Sequence, residues 1–253
     1  MLDTAQNFFL IVLWVTLSIT WLVLLNRIWP ATRRRVHNDV IGWQISILGT
    51  IYAVMVGFML YAVWANFQTA EANAYAEANA AVDLYRAADG LPDEQRRTVQ
   101  KALLQYISTV STTEWETMSR NGQPHAAQPY ILIMWTQMTH SYVESSTQEV
   151  SLNEAMTELN NMTEHRRLRI LESQTEMPTI LWTVLVIGGI ITIASCCLIG
   201  TENTGLHFVL IIASSLLISL ALVAIGDIDR PFQGAVHVSN RAFVRAQETL
   251  LGE

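Results

Sequence analysis

Charge is scarce in this sequence: only 15% of the 253 residues are charged, against 51% apolar. Cysteine is almost missing, and the two that occur, Cys196 and Cys197, are neighbours. Adjacent cysteines give neither a disulfide framework nor the spacing of a zinc site. There is no HExxH, no serine in a G-x-S-x-G elbow and no glycine-rich phosphate loop. The six histidines are scattered. His140 with Glu144, and Glu164 with His165, are isolated pairs of the kind common on surfaces. The chain is therefore read as not an enzyme, needing no cofactor and holding no metal. A basic stripe interleaved with aromatics is also lacking, and the net charge is −7, so nucleic acid is not an expected partner.

The charged residues are missing from four stretches in particular, and those stretches dominate what is there. Apolar runs cover Phe8–Trp29, Val40–Phe67, Pro178–Ile199 and His207–Gly226. Each reaches the roughly 20 residues that a helix needs to cross a hydrocarbon core of about 30 Å. Backbone groups cannot stay unpaired in lipid, so the runs are expected to be helices and the bilayer a partner. The first run has its basic residues after it, at Arg27 and Arg33–Arg35, and none before it. A signal peptide has the reverse order, so the run is read as an uncleaved span. Trp29, Trp43, Trp64 and Trp182 fall near the span ends, as an aromatic belt does.

Glycine and proline are few between residues 68 and 177. "FQTAEANAYAEANAAVDLYRAA" continues the second span without a breaker, so one helix is expected to run on until Gly90. Pro92 is expected at a first helical position, with Asp93 and Glu94 suiting the helix dipole in the first turn. Further helices are expected from near Pro129 and over Leu152–Glu176, with Pro178 at the joint to span three. The fold class is thus all-α: an integral membrane protein of four transmembrane helices with a helical extramembrane bundle between spans two and three. The domains are residues 1–67 with spans one and two, 68–177 the bundle, 178–226 spans three and four, and 227–253 a tail with a short amphipathic helix that Ser239 caps.

Four spans put the basic 30–39 loop on one face of the membrane and both termini with the bundle on the other. Only Asp3 precedes span one, so the positive-inside rule puts Arg33–Arg35 in the cytoplasm and residues 68–177 outside. Arg166, Arg167, Arg169, Arg230, Arg241 and Arg245 run against that assignment. The bundle holds 8 basic and 15 acidic side chains. These read either as a solvated acidic surface or as a vestibule that gathers cations and repels anions.

Carboxylates and lysines are absent from spans two to four, although they usually accompany coupled transport. A passive pathway fits better. Along span two, Gly49, Ala53, Gly57 and Ala65 recur at multiples of four, with Phe58 and Tyr61 beside them, and these are the candidate pore-lining residues. Gly188, Thr192, Cys196 and Gly200 repeat the device in span three. Small residues at this spacing either let helices pack closely within one subunit or leave room for a conduit at a symmetry axis.

"GDIDRPFQG", residues 226–234, closes the last span. Gly226 suits a helix C-terminus and Pro231 prevents continuation. Asp227, Asp229, Arg230 and Phe232 are left over by those two roles. One reading is a joint between membrane and bundle, with Asp229 paired to Arg230 or to a neighbouring helix end and Phe232 wedged into the bundle. The other is a pore mouth ringed by Asp227 and Asp229.

Taken together, these stretches resemble the bestrophin-like domain family of bacterial and plant membrane proteins. The residues that carry the resemblance are Asn38, Gly42, Tyr52, Gly57, Phe58, Trp64, Phe67, Glu71 and Glu77, then Glu114 and Trp115, then Asp229 to Phe232 with Gly234. The resemblance implies a ring-shaped homo-oligomer in a bacterial inner (plasma) membrane and, by analogy with bestrophins, a pore permeable to anions. Two alternatives stand beside it: a cation-permeable channel with an acidic vestibule, and a non-conducting scaffold or stress sensor whose bundle binds a partner.

Overall fold

The computed structural model describes residues 4–142 and 145–252. Asp3 and Glu144, which entered the sequence reading, lie outside them. Among the described residues the protein is helical throughout, with no strand. The helices are α1 (Thr4–Ile28), α2 (Ala31–Arg34), α3 (Asn38–Ala87), α4 (Asp93–Thr109), α5 (Trp115–Ser119), α6 (Gln128–Thr139), α7 (Ser146–Gln174), α8 (Thr179–Cys197), α9 (Thr204–Ile228) and α10 (Arg241–Gly252). Among the described residues four stretches are long and apolar enough to cross a membrane: Ala5–Ile28, one within Ala31–Gly90, Thr179–Cys197 and Thr204–Ile228. The protein is a multi-pass, all-α membrane protein. At 50 residues, α3 is about 75 Å long, more than twice a hydrocarbon core.

The chain forms two compact units. The first comprises Met1–Ala65 and Glu176–Asp229. In it Leu22 and Leu25 of α1 meet Ile193 and Cys197 of α8 and Ile211 of α9. Val63 of α3 meets Leu185, Leu222 and Ile225. Lipid is as apolar as these side chains, so close fit rather than expulsion from water holds such helices together. Gly188 and Gly189 supply that fit, because a Cβ on either would stand 2.8 Å or 2.9 Å from the Tyr52 side chain. The small-residue face of span three is thus spent on packing inside one protomer.

Helix ends in this unit are closed by side chains. Arg34 is buried, donating to the Cys197 carbonyl at 2.7 Å and to the Asn26 side chain. Asn38 donates to the Gly200 carbonyl at 2.8 Å and accepts from its N–H at 2.9 Å. Asn203 caps α9 by accepting from the Leu206 N–H. One expected terminus moves: α9 continues through Gly226 to Ile228. Gly226 does not end the helix. It lies beside Trp182, whose nearest ring atom would be in ordinary contact with an added Cβ at 3.4 Å.

The second unit comprises Asn66–Thr175 and Arg230–Glu253. Pro92 occupies the N-cap of α4, so the helix proper opens on Asp93 and Glu94. The α7 helix begins at Ser146, earlier than the expected Leu152, because Ser145 caps it by accepting from the Gln148 N–H. At α10 the capping expectation fails. The helix starts at Arg241, and Asn240 rather than Ser239 stands before it, its carbonyl accepting from Phe243 and Val244. Ala242, Phe243, Ala246 and Leu250 form the buried stripe of α10.

Candidate functional site

The α3 helix packs one face and leaves the other open. In the first unit Tyr52 and Val63 are buried, and within α3's later stretch Ala70, Ala74, Ala81 and Leu84 are buried in the second. Opposite them, Trp43, Ser46, Thr50, Val54, Gly57, Phe58, Tyr61 and Trp64 are exposed. Of the candidate pore residues, Ala53 and Gly57 are exposed and Gly49 is half-buried. Phe58 is 66% exposed and Tyr61 72%. A Cβ added to Gly42, Gly49 or Gly57 would meet nothing within 4 Å. The glycines of span two therefore have open space where a side chain would stand, unlike Gly188 and Gly189.

The open face of α9 has a different chemistry. Its exposed interior positions are Val209, Leu210, Ile212, Ala213, Leu216, Leu217 and Leu220, all aliphatic. The serines Ser215 and Ser219 point inward and are buried. On α3 the hydroxyls of Ser46 and Thr50 face out instead. Ser46 donates to the Gly42 carbonyl at 2.9 Å and Thr50 to the Ser46 carbonyl at 2.8 Å, which leaves their oxygens free to accept. A shallow groove of about 450 Å³ lies here, lined by Trp43, Ser46, Ile47, Thr50 and Ile51.

The candidate joint residues fall at a unit boundary in the chain. Both carboxylate oxygens of Asp227 accept from the Asn7 amide at 2.9 Å. Asp229 accepts from the Met177 N–H at 3.0 Å, ahead of α8, and from the Trp182 indole at 3.4 Å. These are partners in the first unit. Arg230 opens the segment of the second unit, and its carbonyl accepts from the Gln233 N–H. Phe232 is buried there, edge-on to Trp115 with ring centroids 5.5 Å apart. Gly234 adopts φ 79°, the left-handed turn that glycine favours.

Around Trp115 the second unit holds a centre that motif reading did not assemble. Arg169 of α7 donates to Glu77 of α3 at 2.6 Å and 2.9 Å, and to Glu114 at 3.2 Å. Arg166, one turn earlier, grips Glu114 at 2.6 Å and 2.7 Å. Tyr106 donates its hydroxyl to Glu77. The Arg169 guanidinium lies 5.6 Å from the Trp115 ring centre and 5.7 Å from that of Phe243. Glu77, Glu114, Arg166 and Arg169 are all buried. Glu114 reaches this position from a π-helical turn, Val110–Glu114, which displaces it from the regular α path.

Two carboxylates and two guanidiniums make a closed, neutral set. Burial pushes the Glu114 carboxyl up, but hydrogen bonds and charge from Arg166 and Arg169 outweigh it and bring the carboxyl below its usual range. Burial likewise works against the Arg166 and Arg169 cations, and their glutamates overcome it and raise both. Burial, then the Glu77 charge, lifts the Tyr106 phenol well above its ordinary value. A set of charges so closely paired holds structure together. Arg166 and Arg169, spaced i and i+3 on an otherwise acidic domain, were the signal in the sequence. Among the described residues no group of three or more histidine, cysteine or acidic side chains could hold a metal.

Comparison with known proteins follows the same lines. The bestrophin-like domain profile matches residues 10–243. Among solved structures, two variants of a bacterial bestrophin homologue from Klebsiella pneumoniae superpose with a TM-score of 0.68 each. They are 14% and 15% identical, and in both the alignment covers 98% of this chain and 98% of the other. A crystal structure described as a membrane protein gives a TM-score of 0.63 at 15% identity, with 98% of each chain covered. No curated protein matches.

Proposed function

The chain belongs to the bestrophin-like domain family, and we propose that it is the subunit of a homo-oligomeric ion channel whose conduit is lined by the open face of α3. The single observation that carries this reading is the contrast between two exposed faces. The α9 face is purely aliphatic and suits lipid, whereas the α3 face mixes glycine, hydroxyls and aromatic rings, and a Cβ added at its glycines would meet nothing within 4 Å. Apolar spans associate in lipid through small residues and close contact. A face of this composition fits a symmetry axis, where Gly49, Ala53 and Gly57 leave width and Phe58 and Tyr61 narrow it. Conduction would be passive, since the candidate lining carries no ionisable group apart from the Tyr61 phenol.

Purified protein in planar bilayers is expected to pass current. Gly57→Leu is expected to reduce or block it without unfolding the protomer, because a Cβ at this exposed position meets nothing within 4 Å inside one chain. Cysteines placed at Gly57 and Tyr61 are expected to react with a water-soluble thiol reagent, while cysteines at Leu216 and Leu217 stay protected. Silent bilayers from an assembled oligomer would sink the channel reading and favour a membrane scaffold whose bundle binds a partner. Anion permeability follows from analogy with bestrophins, and cation permeability from the acidity of the chain. Reversal potentials in asymmetric salt separate them.

Within this reading Asp229–Phe232 serves as the joint between the two units. Its support is that the carboxylate bonds described for Asp229 belong to the first unit and the Phe232 ring packs in the second. The cytoplasmic side is assigned to the Arg33–Arg35 loop of an inner-membrane protein, with the termini and residues 68–177 opposite. Pairing thins the charges on both sides of that comparison: Arg34 is buried and Arg35 meets Glu202, while Arg166 and Arg169 are neutralised within the bundle. Labelling of single cysteines at Thr201 and His237 in intact cells decides the sidedness.

A further inference from the structure

The first unit holds three polar atoms that its helices bury and leave unbonded. Among the described residues the Trp14 indole N–H of α1, the Tyr52 hydroxyl of α3 and the Ser215 hydroxyl of α9 have no hydrogen-bond partner. Tyr52 is 6% exposed and Ser215 0%. Their helices meet at α8. A Cβ placed on Gly189 would stand 2.9 Å from the Tyr52 hydroxyl, 3.2 Å from Cζ2 of the Trp14 indole and 3.2 Å from Ile218 of α9. Cζ2 is two bonds from the indole nitrogen, and Ser215 lies one turn before Ile218 on the same face of α9. Ser215 also departs from other hydroxyls in the spans. Thr16, Ser18, Thr192 and Ser219 each donate to a carbonyl of their own helix, the usual resort where water is absent. Ser215 does not.

We infer that the four spans of one protomer enclose a water site, one or two molecules bonded to Trp14, Tyr52 and Ser215. A polar group buried without a bond is costly, and more so where no solvent can reach it. The chemistry of the three groups selects the occupant. The indole N–H only donates, whereas each hydroxyl both donates and accepts. Water can accept from Trp14 and exchange bonds with both hydroxyls, which gives it the 2–4 partners that a buried water requires. An ion is excluded for want of a counter-charge, because no charged side chain stands within two turns of Trp14, Tyr52, Gly189 or Ser215 along their helices. Lipid carbonyls are out of reach. Trp14, Gly189 and Ser215 sit near the middle of α1, α8 and α9, about 15 Å from either edge of the hydrocarbon core. The site ties α1, α3 and α9 together on the side of α3 turned away from its open face, so it does not rest on the channel reading.

The experiment compares melting temperatures of the full-length protein in lipid nanodiscs for Tyr52→Phe, Ser215→Ala and the double variant. Each change removes one hydroxyl and leaves the packing shape of its side chain in place. Deleting an unbonded buried hydroxyl is neutral or stabilising, whereas deleting a bonded one destabilises. Both single variants are therefore expected to melt a few degrees lower. Because the two hydroxyls share the same water, the double variant is expected to lose less than the sum of the two. Either single variant melting at or above the wild type overturns the inference, and so do losses that simply add. A cryo-EM map of the wild type that resolves other ordered waters provides the second measurement. Density at bonding distance from at least two of the three atoms is expected, and its absence overturns the inference even where the melting temperatures fall.

Discussion

The two compact units deal with buried polarity in opposite ways. In the first, charged and amide side chains work at helix ends, where they bond to backbone groups: Arg34 to the Cys197 carbonyl, Asn38 to Gly200, Asp229 to the Met177 N–H. In the second, four charged side chains lie in the interior and bond chiefly to one another. The reason is the surrounding medium. A span in lipid satisfies its backbone along its middle and leaves only its ends in need of partners. A water-surrounded bundle can bury charges, provided that every one has its counter-charge. Loss of a side chain should thus be local in the first unit and collective in the second.

The sharpest way to break that contrast is Arg169→Ala. It leaves Glu77 buried with only Tyr106 as partner and removes the cation that Trp115 and Phe243 enclose. Breaking a buried pair by deleting one partner costs about 3–5 kcal/mol. The second unit is expected to lose its cooperative unfolding transition, read by tryptophan fluorescence in denaturant. Arg169→Lys is expected to rescue little, because an ammonium cannot reproduce the two-pronged grip on Glu77. A variant that unfolds as the wild type does would show that the charges are incidental.

In the first unit the largest effect is expected from packing rather than from charge. Gly188→Ala sets a methyl 2.8 Å from the Tyr52 ring. Overpacking of this kind costs about 1–3 kcal/mol, and a fall in melting temperature in detergent checks it. Gly57→Ala serves as the control. It meets nothing in the protomer and is expected to leave protomer stability unchanged or slightly raised, since alanine favours helix over glycine by about 1 kcal/mol. Asp229→Asn comes next, with a loss of about 0.3–1 kcal/mol from the charge near the N-terminal end of α8. It should appear as weaker assembly or a lower melting temperature. A change in conductance alone would transfer Asp229 from the joint to a pore mouth.

What could be read from the sequence follows the same division. The spans were legible because hydropathy is a one-dimensional signal, and the extension of α3 because nothing between Phe67 and Ala87 breaks a helix. The ionic centre was not, since its members come from positions 77, 106, 114, 166 and 169 and only folding brings them together. Glu77, Glu114 and Trp115 could each be marked by resemblance, yet their common partner Arg169 carried no motif. Gly226 misled because a glycine after an apolar run reads as a stop. Its actual neighbour, Trp182, is more than forty positions away. The open face of α3 was half legible. Spacing marked Gly49, Ala53 and Gly57, but only the folded packing separates the glycines among them from Gly188, which has the same spacing and a packed environment.

The smallest effect, and the one that tests the second unit most finely, is its response to pH. The folded-state value of Glu114 lies below the ordinary carboxylate range, so its contribution is present above that range and is lost as pH falls through the folded value. Glu172 behaves in the opposite sense. Half-buried, with one oxygen bonded to Asn73 at 2.6 Å and the other without a partner, it is raised by burial, partly offset by the Asn73 bond. A raised carboxyl contributes fully below its unfolded value, and that contribution disappears as pH rises through the folded one. Stability of the second unit is therefore expected to peak in mild acid, climbing slightly as pH falls from neutrality and dropping below about pH 4, the ordinary carboxylate value. Melting temperatures across this range provide the check. Glu172→Gln is expected to flatten the limb above the peak while leaving the acid limb in place, because Glu114 and its arginines are untouched. An unchanged upper limb in that variant would place the titrating group elsewhere.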